Sequence, residues 1–351
     1  MEYAMNERGY RGRCKGKNSG RKRRIPLALF IAHAVVCVTG FVIFFAILLL
    51  YHGPFCNYRE YVVTMSMATN QNKFFATAFL STDEINAILA RTSPVTKDVR
   101  EDIRSIRVKA APARVLPASS AVPLTNVKIV DVSGPVFQGK LMIVDDPSKI
   151  EVGVAPELGT VGSTLSGIVK ANNALGGINA GGFLDDNFLG TGANPEGIVI
   201  ANGQNKSVQQ DAGPYSVIGF NRDDVLVISN GMTLGEIQRS NLRCAVSFGP
   251  ALILNGEPLV TSGGTSLQPR SAIGQRKDGA VLLLTIDGRQ PRSAGANYTD
   301  VMSVLMQYGA YNAANLDGGS STTMNYMGKT INAPCDILGE RSIATAFLVM
   351  R

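Results

Sequence analysis

The hydrophobic pattern toward the C-terminus predicts a strand, a helix and a second strand. Residues 280–286 form a short, continuous apolar run closed by an Asp-Gly pair, which is typical of a strand buried on both faces. Apolar side chains then recur at three- and four-residue steps, after a cap at Asn297 or Thr299 and before Gly309, which predicts a helix. Residues 311–316 predict another strand. The three elements form a βαβ unit, whose two strands run parallel.

Short strand-like runs dominate the remainder of the C-terminal region. Asn202-Gly203 and Asn255-Gly256 predict hairpin turns, while 164–173, capped by Ser163, and 233–240 predict helices. The predicted strands are 128–132, 141–144, 150–154, 198–201, 217–220, 225–228, 251–254 and 344–350. We therefore predict an α+β fold with one or more large mixed β-sheets and a few helices, including one βαβ unit, preceded by a single transmembrane helix.

An uncharged apolar stretch near the N-terminus predicts that transmembrane helix. No charged residue occurs from Pro26 to Tyr51, and about 26 residues at ~1.5 Å each exceed the ~30 Å hydrocarbon layer. Residues 1–24 carry nine basic and two acidic residues, so the positive-inside rule predicts a cytoplasmic tail and an extracytoplasmic C-terminal region. The alternative is a cleaved signal peptide, whose apolar core is usually shorter, about 7–15 residues.

These features divide the chain into four predicted segments. They are a basic cytoplasmic tail at 1–24, a transmembrane helix at 25–51, an extracytoplasmic stalk and linker at 52–126, and a compact domain at 127–351. Ser81 and Glu84 predict a capped helix in the stalk, and the prolines between 110 and 123 are typical of a linker. The tail accounts for the whole net charge of +7, so the balanced remainder indicates no nucleic-acid partner.

The predicted compact domain at 127–351 contains no histidine, which excludes two classes of chemistry. Both histidines, His33 and His52, lie in or just after the predicted membrane helix. Ser-His-Asp catalysis and histidine-ligated metal sites are therefore unavailable, and we assign no metal ligand and no cofactor. Carboxylates, arginines, hydroxyls and backbone amides remain for chemistry. Cys244 and Cys335, the cysteines of the predicted domain, either form a disulfide or remain buried thiols.

The strongest polar motif follows the second strand of the βαβ unit. Asp317 precedes Gly318, Gly319 and four hydroxyl residues at 320–323, which together supply acceptors, donors and backbone amides suited to a phosphate or a sugar. Asp287 follows the first strand. Because parallel strands end at the same edge of a sheet, we predict that Asp287 and Asp317 lie over one cleft. The alternative for each is an ordinary polar turn.

Three charged residues are candidates around this carboxylate pair. Arg270 and Arg289 flank the first strand of the unit, and a guanidinium group can hold a phosphate or carboxylate through two parallel hydrogen bonds. Glu196 lies in the glycine-rich segment 190–197 and is a candidate third carboxylate. That segment lacks the Gly-Lys pair of a phosphate-binding loop, so we interpret it as a loop over the site.

A short internal echo links two of the predicted loops. One contains Asn179, Ala180 and the pair Gly181-Gly182, and the other contains Asn315 and Asp317 before its own paired glycines. Either the two loops face one cavity, or the likeness is a coincidence in a chain with 37 glycines.

Five motifs, in this order, resemble those of the phosphodiester glycosidase family: Asn179-Ala-Gly-Gly-Phe183, Ser247-Phe-Gly-Pro-Ala251, Pro269-Arg-Ser-Ala-Ile-Gly274, Asp287-Gly-Arg289 and Asn315-Leu-Asp-Gly-Gly-Ser-Ser-Thr-Thr-Met324. The resemblance covers roughly 127–350. It implies hydrolysis of a sugar-phosphodiester bond, which releases the sugar and leaves the phosphate on its other partner. It also implies a bacterial, membrane-anchored protein of exopolysaccharide or envelope metabolism. The chain departs from the family pattern at Ala180 and Ser320.

With this resemblance, we predict a carboxylate-based hydrolase in which Asp317 and Asp287 divide the work of acid and base or nucleophile, with Glu196 as the third catalytic candidate. Arg270 and Arg289 would neutralise the departing phosphodiester. The predicted sugar-binding residues are Asn179, Gly181, Gly182, Gly318, Gly319, Ser321 and Thr322. The predicted partners are a sugar-phosphodiester or polysaccharide substrate and, through residues 25–51, the lipid bilayer. A non-catalytic glycan-binding module and a carbohydrate-phosphate transferase remain as alternatives.

Overall fold

The computed structural model describes residues 27–54, 56–67, 73–97, 101–108, 126–184, 191–209, 213–336 and 338–351. The predicted tail at 1–24, the proline-containing segment 110–123 and Gly190 lie outside these ranges. The chain divides into two compact units, Met1–Phe55 and Cys56–Arg351.

Seven α-helices lie within the described ranges. They are α1 (Leu27–His52), α2 (Cys56–Met67), α3 (Phe74–Thr77), α4 (Thr82–Thr92), α5 (Leu165–Ala171), α6 (Leu234–Arg239) and α7 (Tyr298–Gln307). In the first unit, α1 is long and apolar enough to cross a membrane, with a mean hydropathy of 2.7 over Ala28–His52. Its length and composition agree with the predicted transmembrane helix.

The second unit contains the strands, most of them short. The first eleven are β1 (Val95–Thr96), β2 (Val127–Ser133), β3 (Gln138–Val144), β4 (Ile150–Val154), β5 (Gly176–Asn179), β6 (Phe183–Leu184), β7 (Asn194–Pro195), β8 (Ile198–Ala201), β9 (Gln204–Val208), β10 (Tyr215–Asn221) and β11 (Leu226–Met232). The others are β12 (Leu242–Val246), β13 (Ala251–Leu254), β14 (Glu257–Pro258), β15 (Val260–Ser262), β16 (Arg270–Arg276), β17 (Val281–Ile286), β18 (Ala310–Leu316), β19 (Met324–Tyr326), β20 (Lys329–Thr330) and β21 (Thr345–Val349). The predicted α+β class is confirmed.

Three larger sheets make up most of the second unit. A seven-stranded sheet has the order β14-β13-β18-β16-β17-β3-β2, and two five-stranded sheets have the orders β11-β10-β12-β8-β9 and β20-β19-β5-β21-β4. The pairs β1-β15 and β6-β7 form two-stranded sheets. Hairpin turns at Asn202-Gly203 and Asn255-Gly256 join β8 to β9 and β13 to β14, as predicted, with positive φ at all four residues.

The predicted βαβ unit is present, but a third strand splits it. Strand β16 pairs antiparallel with β17 on one side and with β18 on the other, so β17 and β18 run parallel without touching. The short turn after Arg276 folds β16 and β17 into a hairpin, so β16 already lies beside β17 when the chain returns as β18. Strand β18 therefore pairs with β16. The strand pairs in the described sheets are antiparallel, so the parallel relation holds only across β16.

The hydrophobic core lies on both faces of the seven-stranded sheet. Along β17, the side chains of Leu282, Leu284 and Ile286 pack toward α7, while Val281 and Leu283 pack toward the two five-stranded sheets. All five are fully buried, as the continuous apolar run predicts. The edge at which β17 ends is therefore fixed by packing on two sides.

Polar caps set the ends of several helices. Asn297 caps α7 in a reciprocal pair of hydrogen bonds with Asp300, and Ser81 caps α4 in the same way, both as predicted. The cap of α5 is Thr164, whose hydroxyl accepts from the amide of Gly167 at 3.1 Å, and not the predicted Ser163. Ser163 instead forms a β-bridge with Ile343.

The segment predicted as a stalk packs on the domain. Strand β1 pairs with β15, and the amide of Gly264 donates to the carbonyl oxygen of Thr92 at 2.7 Å. Helices α2, α3 and α4 thus belong to the same compact unit as the sheets. Cys244 and Cys335 are both free thiols, so they do not form a disulfide with each other.

Candidate functional site

The ends of β17 and β18 place Asp287 and Asp317 at one edge of the seven-stranded sheet. In the register of the sheet, Ile286 lies opposite Arg270 and Leu316 lies opposite Ser271. The two aspartates follow directly, one on each side of the start of β16. Two strand spacings of about 4.8 Å separate their strands, roughly 10 Å in all. They share an edge, as predicted, but the start of β16 stands between them.

The turn that carries Asp317 is held by its own backbone and by close packing. The Asp317 amide donates to the carbonyl oxygen of Ala180 at 2.9 Å, and the Gly319 amide donates to that of Pro269 at 2.9 Å. A Cβ atom on Gly318 would lie 2.8 Å from the Pro269 oxygen, and Gly319 has a φ of +59°. Both glycines are therefore required for this turn to approach β16.

Asn179 joins the two loops that echo each other in sequence. Its Nδ2 donates to the carbonyl oxygen of Asp317 at 2.6 Å, and its Oδ1 accepts from the Ser271 hydroxyl at 2.7 Å and from the Thr323 amide at 3.1 Å. The residue is 1% exposed. The two loops lie against each other, and the Asn179 amide bonds inside the fold instead of facing a cleft.

Asp317 is the most strongly perturbed carboxyl group at this edge. Burial raises its pKa to about 6, while the Ser321 hydroxyl, the charge of Arg341 and the Gly318 amide favour the ionised form. The negative charge of Glu196 acts in the opposite direction and raises the pKa further. The residue as a whole is partly exposed, while its carboxyl group is desolvated.

Glu196 belongs to a second wall of the site. Its amide donates to the carbonyl oxygen of Gly182 at 2.9 Å, and a Cβ atom on Gly182 would lie 2.8 Å from its Oε2 and 2.9 Å from the Phe248 ring. Gly181 is equally confined, with its amide donating to Thr345 Oγ1 at 3.0 Å. Glu196 itself is exposed and lines a cavity of about 410 Å³ together with Tyr215, Ser247 and Phe248.

Asp287 has a different environment from Asp317. Its Oδ1 accepts from Asn332 Nδ2 at 2.9 Å and from the Ala333 amide at 3.0 Å. Burial raises the pKa of Asp287, and these two hydrogen bonds and the charge of Lys140 oppose that effect. Among the causes that act on the pKa of Asp317, the carboxylate is Glu196 and not Asp287, and its effect is the smallest of them.

The two predicted arginines lie beneath the Asp317 turn. Arg289, at a φ of +58°, donates from Nη2 to Gln268 Oε1 at 2.6 Å, and the same Nη2 would lie 3.5 Å from a Cβ atom on Gly319. Arg270 donates to the carbonyl oxygens of Ala296 and Ser266, both at 3.1 Å. Its guanidinium group is therefore largely committed to the protein.

Burial governs the chemistry of Arg270. The residue is 9% exposed, and its guanidinium carbon lies 4.2 Å from the centroid of the Tyr298 ring. Burial lowers the pKa of Arg270, the charge and hydrogen bonding of the Tyr298 side chain oppose this, and the positive charge of Arg289 lowers the pKa further. The two guanidinium groups thus form one positive region, of which Arg289 is the more exposed part.

The predicted hydroxyl residues are buried. Ser321 is 2% exposed, and its side chain is hydrogen-bonded to the Asp317 carboxylate. Thr322 is 1% exposed, and its Oγ1 has no hydrogen-bond partner among the described residues. Ser321 supports the carboxylate, and Thr322 leaves a polar atom unsatisfied directly after it.

Three residues that act on the site side chains belong to no motif that the sequence analysis identified. Arg341, whose charge acts on Asp317, lies 5.0 Å from the centroid of the Phe183 ring. Gln268 orients Arg289, and Asn332 holds Asp287. The only sequence signal for Arg341 is a basic residue shortly before the last strand, which is common on any surface. Within the described ranges, no group of three or more His, Cys, Asp or Glu residues is arranged to hold a metal ion.

Comparisons with known proteins bear on the fold and the family of this chain. In Bacillus subtilis (strain 168), the SPbeta prophage-derived uncharacterized protein YomE is 35% identical over 112 residues, which cover 30% of this chain and only 17% of YomE. The catalytic domain of zebrafish N-acetylglucosamine-1-phosphodiester alpha-N-acetylglucosaminidase, in a structure auto-inhibited by its pro-peptide, has the same fold. It aligns with a TM-score of 0.54 at 22% identity, over 67% of this chain and 85% of that domain.

The family comparison covers all the predicted site residues. The family model described as phosphodiester glycosidase matches residues 172–350, about half of the chain. That range holds Asn179, Glu196, both arginines and both aspartates. The chain therefore belongs to the phosphodiester glycosidase family and carries a glycosidase-like domain.

Proposed function

We propose that this protein is a membrane-anchored, extracytoplasmic glycosidase that hydrolyses a sugar-phosphodiester bond in an envelope or exopolysaccharide glycan. The observation that carries the proposal is the environment of Asp317. This buried carboxyl group, with its pKa raised to about 6, is acted on by the positive charge of Arg341 and the negative charge of Glu196, and Arg289 lies against the neighbouring Gly319. Perturbed carboxyl groups flanked by both signs of charge are characteristic of acid–base sites.

The pKa of Asp317 assigns its role in the reaction. At neutral pH this carboxyl group is largely ionised, so it acts on the anomeric carbon as nucleophile or on a water molecule as base. We assign Glu196, whose charge acts on the pKa of Asp317, as the second carboxylate of the pair. A phosphodiester is a good leaving group and needs little protonation. Asp287 then fixes the wall formed by residues 332–333, since its Oδ1 already accepts two hydrogen bonds.

The guanidinium groups suit the leaving phosphodiester. Charge develops on the phosphate oxygens as the glycosidic bond breaks, and a preorganised positive group stabilises it without reorganisation. Arg289 is close to the Asp317 turn and only half-buried, so we assign it the direct contact. Arg270 lies deeper and acts through its charge and through Tyr298.

The other predicted residues position the carboxylate. The polar atoms of Asn179 and Ser321 bond within the fold, so we propose that they hold Asp317 in place instead of binding the sugar. The paired glycines 181–182 and 318–319 permit the close packing that brings Glu196 and Arg289 to the turn. The sugar then occupies the 410 Å³ cavity beside Glu196.

The N-terminal region supports the proposed location. Helix α1 is long enough to span a bilayer, and nine basic residues precede it. By the positive-inside rule, the tail stays in the cytoplasm and the glycosidase domain lies outside.

The test is turnover by the full chain, purified in detergent, on diesters of sugar 1-phosphates. N-acetylglucosamine is the first sugar to use, because the zebrafish enzyme is named for it. Hydrolysis releases free sugar and a phosphomonoester in equal amounts, transfer yields a lengthened acceptor, and binding alone yields neither. We expect equal release, together with its loss in Asp317→Asn.

The matched control is Asp300→Asn, which changes a capping aspartate of α7 outside the site. It should retain parental turnover, and circular dichroism should show both variants folded. Asp317→Asn with near-parental turnover, or a parent that releases no sugar from any diester in a panel of sugars, would refute the proposed function.

A further inference from the structure

A polar groove lies between the N-terminal helices and the segment that precedes β16. Its volume is about 420 Å³, and its walls are Glu60, Tyr61 and Thr64 of α2, Thr92 of α4, and residues 265–267. Helix α2 precedes the region matched by the family model, residues 172–350. One wall of the groove is therefore a contribution of this chain's N-terminal region.

The segment 265–268 connects this groove to both arginines of the site. The carbonyl oxygen of Ser266, a lining residue, accepts from Arg270 Nη2 at 3.1 Å. Gln268 accepts from Arg289 Nη2 at 2.6 Å through Oε1, while its Nε2 lies 2.7 Å from the sulfur of Met65 in α2. Helix α2 is thus one side chain away from the guanidinium group that faces the Asp317 turn.

These contacts connect the binding regions. The Asp317 amide bonds to Ala180, two residues before Gly182, which lies against Glu196 of the cavity. Arg289 lies against the same turn at Gly319, and Gln268 joins Arg289 to α2 beside the groove. A sugar in the Glu196 cavity and a phosphate at Arg289 would direct the second ester group of the phosphate toward α2. Resting on the proposed function, we propose that this groove binds the alcohol portion of the phosphodiester, and that this portion is a hydroxyl-rich sugar or polyol.

The chemistry of the groove favours a hydroxyl-rich ligand. The Thr64 hydroxyl donates to the carbonyl oxygen of Glu60 at 2.8 Å, and the Thr92 hydroxyl donates to that of Ile88 at 2.8 Å. Because each hydroxyl already donates its hydrogen atom to a backbone carbonyl, its oxygen can act only as an acceptor for donors in the groove. Glu60 adds a carboxylate held by Arg91 at 2.5 Å. The half-exposed ring of Tyr61 supplies an apolar face of the kind that sugar rings pack against.

The test compares two esters of N-acetylglucosamine 1-phosphate, one with methanol and one with maltotriose, using the full chain. Thr64→Trp fills the groove with an indole ring. We expect KM for the maltotriose ester to rise at least tenfold with little change in kcat, while kcat/KM for the methyl ester stays within twofold of the parent. A remote positional effect of α2 on Arg289 would instead lower turnover of both esters equally.

The matched control is Thr77→Trp, an exposed threonine of α3 whose hydroxyl makes the same bond, to the carbonyl oxygen four residues earlier. It should behave as the parent toward both esters. Thr64→Trp that treats the two esters alike, with both unchanged or both impaired, would overturn the proposal.

A binding measurement separates failure of the groove from failure of the proposed function. The chain contains no tryptophan, so Tyr61→Trp introduces a single fluorescent reporter. Titration with maltotriose phosphate should change its emission saturably, whether or not either ester is hydrolysed. A parent that hydrolyses neither ester contradicts the glycosidase, and a reporter that does not respond contradicts the groove.

Discussion

Strand β18 meets a buried carboxyl group at each of its ends, and the two surroundings differ. Near its start, Asn312 donates to Glu101 Oε1 at 2.8 Å, and the Ile228 amide donates to Oε2 at 2.9 Å. At its other end, Asp317 lies among a hydroxyl group, two glycines and charges of both signs. Burial raises the pKa of Glu101 to about 8 and that of Asp317 to about 6.

The difference lies in what opposes desolvation. For Glu101, only two neutral N–H donors oppose the rise in pKa that burial causes. At neutral pH this carboxyl group is therefore mostly protonated, and it joins the 101–108 segment to the sheet. For Asp317, the positive charge of Arg341 also opposes the rise in pKa that burial causes. This carboxyl group is therefore mostly ionised at neutral pH and stays reactive. A large pKa shift therefore marks a chemical group only when charged neighbours accompany it.

The largest expected effect is a difference in kcat between variants of the two carboxyl groups. Removing a general acid, base or nucleophile costs about 10²–10⁴ in rate, so Asp317→Asn should lower kcat by about 10³. Glu101→Gln should leave kcat within about twofold of the parent, because its hydrogen bonds to Asn312 and Ile228 lie near the other end of β18 from Asp317. The measurement is steady-state turnover of a sugar phosphodiester. Equal losses in the two variants would remove the distinction.

The second effect tests how the Asp317 end is held. Asn179→Ala removes three hydrogen bonds and leaves buried partners, so the free energy of unfolding should fall by about 3 kcal/mol. Displacement of the Asp317 turn should lower kcat by about 10². The control is Asn325→Ala, another fully buried asparagine, whose Nδ2 donates to the Ser166 hydroxyl. It should lose stability without losing kcat, and a similar rate loss there would contradict a positioning role for Asn179.

The sequence predicts the parts of this comparison that depend on local chemistry. The apolar run of β17, the Asn297 and Ser81 caps and the two Asn-Gly hairpins follow from side-chain period, capping oxygens and positive φ. The motif around Asp317 likewise indicates a carboxylate at a strand end. Each signal lies within about ten residues of the structure that it specifies.

The parts that the sequence did not predict depend on distant contacts. Nothing near residue 280 shows that β16 will separate β17 from β18, because the hairpin competes with the crossover for the same position. The bond from Asn179 to Asp317 spans 138 positions, and the influence of Arg341 on Asp317 depends on how its loop folds back. The packing of α2 near Gln268 spans 203 positions.

The third effect is a fall in the free energy of unfolding as the pH rises from 6 to 8. A carboxyl group whose pKa is about 8 in the folded protein, against an ordinary pKa of 4.5, contributes stability at low pH that is lost as the pH rises from about 4.5 through 8. Between pH 6 and 8, the parent should lose roughly 2–3 kcal/mol of unfolding free energy through this group. Glu101→Gln should lack that slope in urea titrations, whatever its absolute stability. Parallel pH profiles for parent and variant would contradict a protonated Glu101.

The smallest effect is a displacement of the acidic limb of the pH–rate profile. Glu196 raises the pKa of Asp317 and Arg341 lowers it, so Glu196→Gln should move the midpoint of the limb below about 6 and Arg341→Gln should move it above. At pH 5, these variants should change the ionised fraction of Asp317 in opposite directions, each by less than about tenfold. The measurement is kcat from pH 4 to 8, normalised to each variant's own plateau, so that any loss of substrate contact by Glu196 cancels. Displacement of both midpoints in one direction would contradict the effect of these two charges on Asp317, and Asp317 would then resemble Glu101, a carboxyl group governed by burial and neutral hydrogen bonds.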